Sequence, residues 1–376
     1  MKKLFCTLLT LLALSATKAQ TLKPIDGKAT KRTVALYNNL HQIPQRGILF
    51  GQQDATTMGH IWSSDTNDRS DIKEMCGSHP AVIGDDFVGL CSNDPKKVAR
   101  TKRSLVNQIV GTYRRGGVTT ICWHASNPMI EGDNNNTFYW KKAQQRAVEH
   151  ILPGGKANAR YKSWLKNIAE CMDEVRDDNG KLIPVIFRPL HEFDGDWFWW
   201  GESHCSKEDF VALWRYTVEQ LRDEFGVHNI LYAFSPDCRF NNEEELLARY
   251  PGDEFVDIIA FDEYHDFKPS GDGNPSKALE KSIIVSDVAR KRGKIAAMSE
   301  CGLEGVSDST WYGQTLLPIL KDERVSFAYV LVWRNSNYSE THYYAPFKGH
   351  PAEADFVKFY NDQFTIFEDS IGKMYK

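Results

Sequence analysis

Val185-Ile-Phe-Arg-Pro-Leu-His-Glu-Phe-Asp-Gly-Asp-Trp-Phe-Trp-Trp-Gly201 begins as a strand and ends as a site. Val185, Ile186 and Phe187 make a short apolar run that reads as a buried strand, and Phe193 to Gly201 reads as the loop after it. Between them stand His191 and Glu192, with Trp197, Trp199 and Trp200 crowded behind. A carboxyl group leaving a strand beside flat rings suits the handling of a sugar. An acid serves the glycosidic oxygen, and apolar faces cover the C–H surfaces of a pyranose. The expectation from this stretch alone is a glycosidase.

Runs of the same kind recur along the chain. They are Gly47–Asp54, Ala81–Asp86, Val118–His124, Leu182–Arg188, Ile230–Ser235, Val256–Asp262, Ile295–Glu300 and Phe327–Trp333. Between them lie amphipathic patterns that predict helices over Pro95–Arg115, Ala157–Asp177, Lys207–Phe225 and Pro275–Arg292. In the third, Ser206 before Asp209 reads as a capping pair, and Phe210, Leu213, Trp214, Val218 and Leu221 form one apolar stripe. Eight strands alternating with helices predict an α/β chain folded as a single (β/α)8 TIM barrel. No Gly-rich dinucleotide fingerprint follows the first run, which weakens a doubly wound alternative. With no repeat, linker or break in composition, residues 20–376 are expected to form one catalytic domain.

The chain has 376 residues, 41% hydrophobic and 12% aromatic, with a formal charge of −4, which suits a globular protein with a large core. Its Lys and Arg are scattered, so there is no footprint for nucleic acid. Met1–Ala19 has the shape of a secretory signal: Lys2 and Lys3, an apolar run from Leu4 to Leu14, then Thr17-Lys18-Ala19. The expected product is exported, periplasmic or secreted, after cleavage near Ala19. Cys6 stands at the start of the apolar run rather than just after it, which argues against a lipoprotein anchor. Seven cysteines remain beyond the leader, without any C-x-x-C spacing. They suggest neither a zinc ribbon nor a disulfide framework, with Cys76–Cys91 a weak candidate for one bridge.

The starts of the runs are plain, and their ends carry the chemistry. Asp54, Asp85, Asp86, His124, Asn127, His191, Glu192, Ser235, Asp237, Asp262, Glu263, Tyr264, His265, Glu300, Trp333 and Arg334 all sit at or just past a C-terminal end. In a barrel these ends meet on one face, where active sites are assembled from several strands. Glu192 ends the fourth run and Glu300 the seventh, so the two can approach over one cleft. Retaining glycosidases hold such a pair about 5 to 5.5 Å apart and inverting ones about 6.5 to 9.5 Å. The sequence does not choose between these distances.

An acid at Glu192 must keep its proton near neutral pH, which apolar surroundings such as Phe193 and Trp197 or a nearby Glu300 would favour. Glu300 must stay ionised and needs donors, among which His191, Tyr264 or an Arg are candidates. Simple alternation puts Arg188 on the same face as Glu192 and turns His191 the other way, unless a bulge or the strand's end intervenes. At least one of Trp197, Trp199 and Trp200 is expected to pack in the barrel wall, with Trp197 the ligand contact. His265 reads as structural, and Asp194 and Asp196 as turn residues around Gly195. Neither a His-x-His pair nor a G-x-S-x-G elbow occurs, so no metal, cofactor or serine nucleophile is expected.

R-P-L-H-E-F-D-G-D-W-F-W-W-G and the later M-S-E-C-G resemble the glycoside hydrolase family 26 β-mannanases. W-H-A-S-N-P, F-D-E-Y-H and V-L-V-W-R-N stand where that family has substrate-binding strand ends. The resemblance implies a retaining β-1,4-mannan hydrolase acting on β-mannan or manno-oligosaccharides, with Glu192 as general acid/base and Glu300 as nucleophile. It implies that His191 supports the nucleophile, that Tyr264 positions it, and that His124, Trp197, Trp333 and Arg334 bind sugar. The loop from Glu131 to Thr137 matches no motif. Endo or exo action, tolerance of galactose branches and oligomeric state stay open. So do two alternatives: the same machinery on xylan or mixed-linkage glucan, and a catalytically silent sugar-binding barrel.

Overall fold

The structure, a computed structural model, describes residues 22–132, 136–268 and 273–376. The leader lies outside these residues, as does part of the loop after Glu131. Each of the eight runs coincides with a strand, and the fourth, sixth and seventh strands extend one residue past their runs: β1 (Ile48–Gln53), β2 (Val82–Asp86), β3 (Val118–Trp123), β4 (Val185–Pro189), β5 (Ile230–Phe234), β6 (Ile258–Glu263), β7 (Ile295–Cys301) and β8 (Phe327–Val332). They pair in parallel in sequence order, and β8 returns to β1 with Leu49 opposite Tyr329, closing the (β/α)8 barrel.

Strand alternation sorts the core into two shells. Val185 and Phe187 face the outer layer of helices, whereas Ile186 joins Leu49, Val82, Val118, Leu231 and Ala260 inside the barrel. A helix that the sequence reading left unassigned, α1 (Lys31–Gln42), closes the base of the barrel. Its Leu36, Tyr37 and Leu40 belong to the inner shell together with Ile371 and Met374. With the lower barrel filled by apolar side chains, the open end lies at the strands' C-termini.

Helix limits follow local chemistry. α2 (Pro95–Arg115) and α5 (Pro275–Arg292) match their predicted spans because each has an Asx cap, a Pro in the first turn and a left-handed Gly, Gly116 or Gly293, at its end. α3 (Asn158–Glu174) lacks a side-chain cap and is shorter than predicted. α4 (Lys207–Glu219) starts at the expected Ser206 cap, which accepts from the Asp209 amide, and then widens into a π-turn over Gln220–Glu224.

The seven cysteines among the described residues are free, so the Cys76–Cys91 bridge is not formed. The Cys91 sulfur is buried and accepts the Trp123 indole N–H at 3.0 Å, a core role rather than a cross-link. Among the described residues, no helix is long and apolar enough to cross a membrane.

Candidate active site

Glu300 reaches the barrel interior through a register break. Along β7, Ile295 and Ala297 point inward and Ala296 and Met298 outward. Ser299 also points inward, with its hydroxyl 2.8 Å from Asp262 Oδ1. Unbroken alternation would therefore turn Glu300 out among the helices. Instead, Phe261 of β6 pairs with Met298 but Asp262 pairs with Glu300, leaving Ser299 as an extra residue. This bulge returns Glu300 to the interior, where it is 4% exposed.

Glu192 is placed differently from the expectation. β4 ends at Pro189, so Glu192 is a loop residue and strand alternation does not set its direction. Leu190 and Glu192 both adopt left-handed backbone, with φ of 50° and 51°, a conformation that is uncommon away from glycine and concentrates at functional sites. The Glu192 amide donates to Ser235 O at 2.9 Å, and its carbonyl accepts from Gly195 at 3.2 Å. The strand's end also turns His191 inward, as the alternation argument required.

Around these two carboxyls Arg188, Tyr264 and Ser235 form a connected set of hydrogen bonds. Arg188, 2% exposed, donates Nη1 to Asp262 Oδ2 at 2.7 Å and Nη2 to Glu300 Oε1. Tyr264 donates its hydroxyl to Glu300 Oε2 at 2.9 Å, and Ser235 donates to Asp262 Oδ1 at 2.9 Å. Glu300 therefore accepts from a cation and a phenol, which hold its two oxygens in place. Among the described residues Glu192 has one side-chain donor, the Trp197 indole N–H at 2.6 Å, and no cation paired with it. Burial, then the charges of Asp262, Glu300 and Asp237, push its carboxyl well above the ordinary range. Trp197 works against that rise, contrary to the expectation that it would help; Phe193 lies beneath, packed on Phe210 and Phe234.

One carboxylate oxygen from each of Glu192, Asp262 and Glu300 falls within 4.8 Å of the others. The grouping would suit a metal by donor type, but the Arg188 guanidinium already bridges Asp262 and Glu300. Removing that guanidinium leaves two buried carboxylates unpaired. Arg188→Met is expected to destabilise the fold by about 3–5 kcal/mol, read as a lowered midpoint in denaturant unfolding.

The other candidates fall around this centre in distinct ways. His124 Nδ1 contacts Asp86 Oδ2 at 2.6 Å; burial raises the Asp86 carboxyl, but the His124 ring together with the Val88 and His124 amides holds it below its usual range. The His191 ring lies edge-on to His124 at 4.7 Å, and burial followed by Arg188 lowers its pKa. Its Nδ1 has no hydrogen-bond partner among the described residues, and the cationic donor at Glu300 is Arg188. Trp333, half-buried, stands 6.0 Å from the His124 ring, and Arg334 reaches Asp54 at 3.7 Å. Burial raises Asp54 to about 6 against the pull of Arg334. Asp54, Asp86, Trp333 and Arg334 line a cavity of about 710 Å³.

Trp199 and Trp200 are buried and donate to Ala125 O and His191 O, so two of the three tryptophans hold backbone and Trp197 alone remains half-exposed. Asp194 does more than turn a loop: its Oδ1 accepts the Asp237 amide at 2.7 Å, tying the β4 and β5 loops together. Asn127 braces its own loop by donating to Gln145 O at 2.7 Å. The sequence reading missed that Asp262, with Ser235 and Ser299, anchors Arg188. The signal was present, since Asp262 and Ser235 both stand at strand ends, but the pairing depends on barrel closure.

The model of Glycosyl hydrolase family 26 matches residues 25–314. The structure resembles GH26C from Muricauda sp. MAR_2010_75, with a TM-score of 0.86, 36% identity and coverage of 94% of this chain and 96% of that one. It also resembles a GH26 beta-mannanase from Bacteroides ovatus, with a TM-score of 0.82, 37% identity and coverage of 92% and 98%. A mannan endo-1,4-beta-mannosidase of Bifidobacterium adolescentis is 33% identical over 365 residues, 92% of this chain and 35% of its own length. The chain thus spans about a third to a half of the first curated relatives it matches. The closed barrel, the carboxyl groups gathered at its C-terminal mouth and the match over most of its length place this chain in glycosyl hydrolase family 26.

Proposed function

We propose that this protein is an exported retaining β-1,4-mannanase, with Glu192 as general acid/base and Glu300 as nucleophile. The observation that carries this reading is the approach of Glu192 and Glu300 oxygens to within 4.8 Å. That approach lies nearer the roughly 5–5.5 Å of retaining pairs than the roughly 6.5–9.5 Å of inverting ones. The substrate class follows from the relatives described as mannan endo-1,4-beta-mannosidases. The reading includes a leader removed near Ala19 and one catalytic domain over residues 20–376.

In the first step Glu192 gives its proton to the glycosidic oxygen while a Glu300 oxygen attacks the anomeric carbon. The C–O bond breaks, and the leaving chain departs as an alcohol. Esterification removes the Glu300 charge, so the field that kept Glu192 protonated weakens. Glu192 then takes a proton from water, the water oxygen attacks the anomeric carbon, and Glu300 is released as carboxylate. Arg188 and Tyr264 hold Glu300 on line throughout. His124, His191, Trp197, Trp333 and Arg334 supply the rings and donors for the sugars on either side.

The test is release of reducing ends from unbranched β-1,4-mannan, xylan and mixed-linkage glucan. Mannan is expected to react fastest. Binding to mannan without release by intact protein would leave only a sugar-binding barrel, and faster attack on xylan or glucan would move the substrate.

A pH effect follows from the Trp197 bond. Activity requires protonated Glu192 and is lost as pH rises through its pKa. The indole N–H favours the charged form, so Trp197→Phe raises that pKa and moves the basic limb of kcat/KM to higher pH. A limb that stays or moves down in a pH–rate series would remove Trp197 from this role.

A further inference from the structure

We infer that Ile61 and Tyr338 form a sugar-chain platform on the rim of the cleft, held rigid by Asp71, that binds a β-1,4-linked chain beyond the sugars at the reacting centre. The inference rests on the mannanase reading. Four large apolar side chains are exposed among the described residues, and Ile61 (48%), Tyr338 (76%) and Tyr139 all stand in loops at the strands' C-terminal face. Single exposed hydrophobics need no explanation, but Ile61 and Tyr338 are paired by the backbone. The Ile61 amide donates to Ser336 O at 2.9 Å, and the Tyr338 amide donates to Ser336 Oγ at 3.2 Å.

Ile61 also sits at φ 62°. A β-branched residue in the left-handed region is a marked outlier, where glycine or asparagine would cost less. Keeping isoleucine there gives up stability for an apolar side chain on the surface, a pattern that points to function.

The platform is fixed from below. Asp71, 3% exposed, accepts the His60 amide at 2.7 Å, the Trp62 indole N–H at 2.6 Å and the Asn335 side-chain amide at 2.7 Å. One carboxylate thus clamps the hairpin after β1 (Met58–Gly59 and Trp62–Ser63) to the loop after β8. Asn335 Oδ1 in turn accepts the Tyr344 and Ala345 amides at 3.0 Å, and the His60 ring stacks on Phe347 at 3.7 Å. The platform is continuous with the cleft: Met58 lines the same cavity as Trp333 and Arg334, and Asn335 directly follows Arg334.

The test compares kcat/KM on soluble β-1,4-mannan with kcat/KM on an activated aryl mannobioside, for the wild type, Tyr338→Ala, Tyr338→Phe and Asp71→Asn. Tyr338→Ala should lower the polymer-to-bioside ratio about fivefold, because the short substrate does not reach the ring. Tyr338→Phe should restore it, and Asp71→Asn should lower it by a similar factor. A ratio within twofold of wild type for Tyr338→Ala, or a rise marking Tyr338 as a barrier to long chains, overturns the platform. A wild-type protein that leaves mannan intact overturns the functional reading first, and the platform with it.

Discussion

Replacing Glu300 by alanine is expected to abolish turnover of mannan and of aryl mannosides alike, by at least about 10⁴-fold in kcat. A good leaving group relieves the need for an acid but not for a nucleophile, so the loss does not depend on substrate. The bulge at Ser299 aims this side chain, and Arg188 and Tyr264 fix both of its oxygens. No neighbour is placed to substitute. Asp262 is spent on Arg188 and two serine hydroxyls, and Glu192 is the group proposed to carry the proton. Steady-state rates on both substrate types, with a circular dichroism spectrum to verify folding, provide the measurement. A variant that kept its rate on the aryl substrate would exclude Glu300 as nucleophile.

Replacing Glu192 by alanine is expected to give a split result. Hydrolysis of mannan should fall about 10²- to 10⁴-fold, since the departing sugar alcohol needs a proton. Glycosylation by an aryl mannoside with a good leaving group should survive, while deglycosylation, which needs the same carboxyl as base, becomes slow. Stopped-flow measurement should then show a burst of phenol followed by a slow steady state, and azide, which needs no base, should speed the second phase. Equal losses on both substrates, without a burst, would contradict the acid/base role. The environment of Glu192 supports this assignment: among the described residues it is the carboxyl at the centre with no cation paired to it, and burial with three surrounding carboxyl groups raises its pKa.

Much of this was legible in the chain because barrels write their sites at strand ends. All eight strands fall on runs marked by apolar, β-branched residues, to within one residue at their C-terminal ends, and helices with an Asx cap, a Pro and a terminal Gly, such as Pro95–Arg115, are readable at both ends. What sequence did not reveal is where regularity breaks. The bulge that returns Glu300 to the interior is one extra residue, Ser299, in a stretch whose composition fits unbroken alternation equally well. The left-handed turns at Leu190 and Glu192 involve residues that ordinarily avoid that conformation. Arg188 was foreseen as a charge beneath the site, but its pairing with Asp262 spans 74 residues and depends on how β4 and β6 face each other. Trp199 and Trp200 look identical to Trp197 in sequence, and only burial separates the two that hold backbone from the one that meets the cleft.

The most direct test of the two-carboxylate mechanism is mass spectrometry of the protein after reaction with a 2-deoxy-2-fluoro-mannobiosyl fluoride. The fluorine at C2 slows both steps by destabilising the oxocarbenium-like transition states, and the fluoride leaving group restores the first, so the covalent intermediate accumulates. Fragmentation of peptic peptides is expected to place a single glycosyl ester on Glu300, within the peptide that carries Ile295–Cys301. An adduct on Glu192 or on any other residue would contradict the assignment.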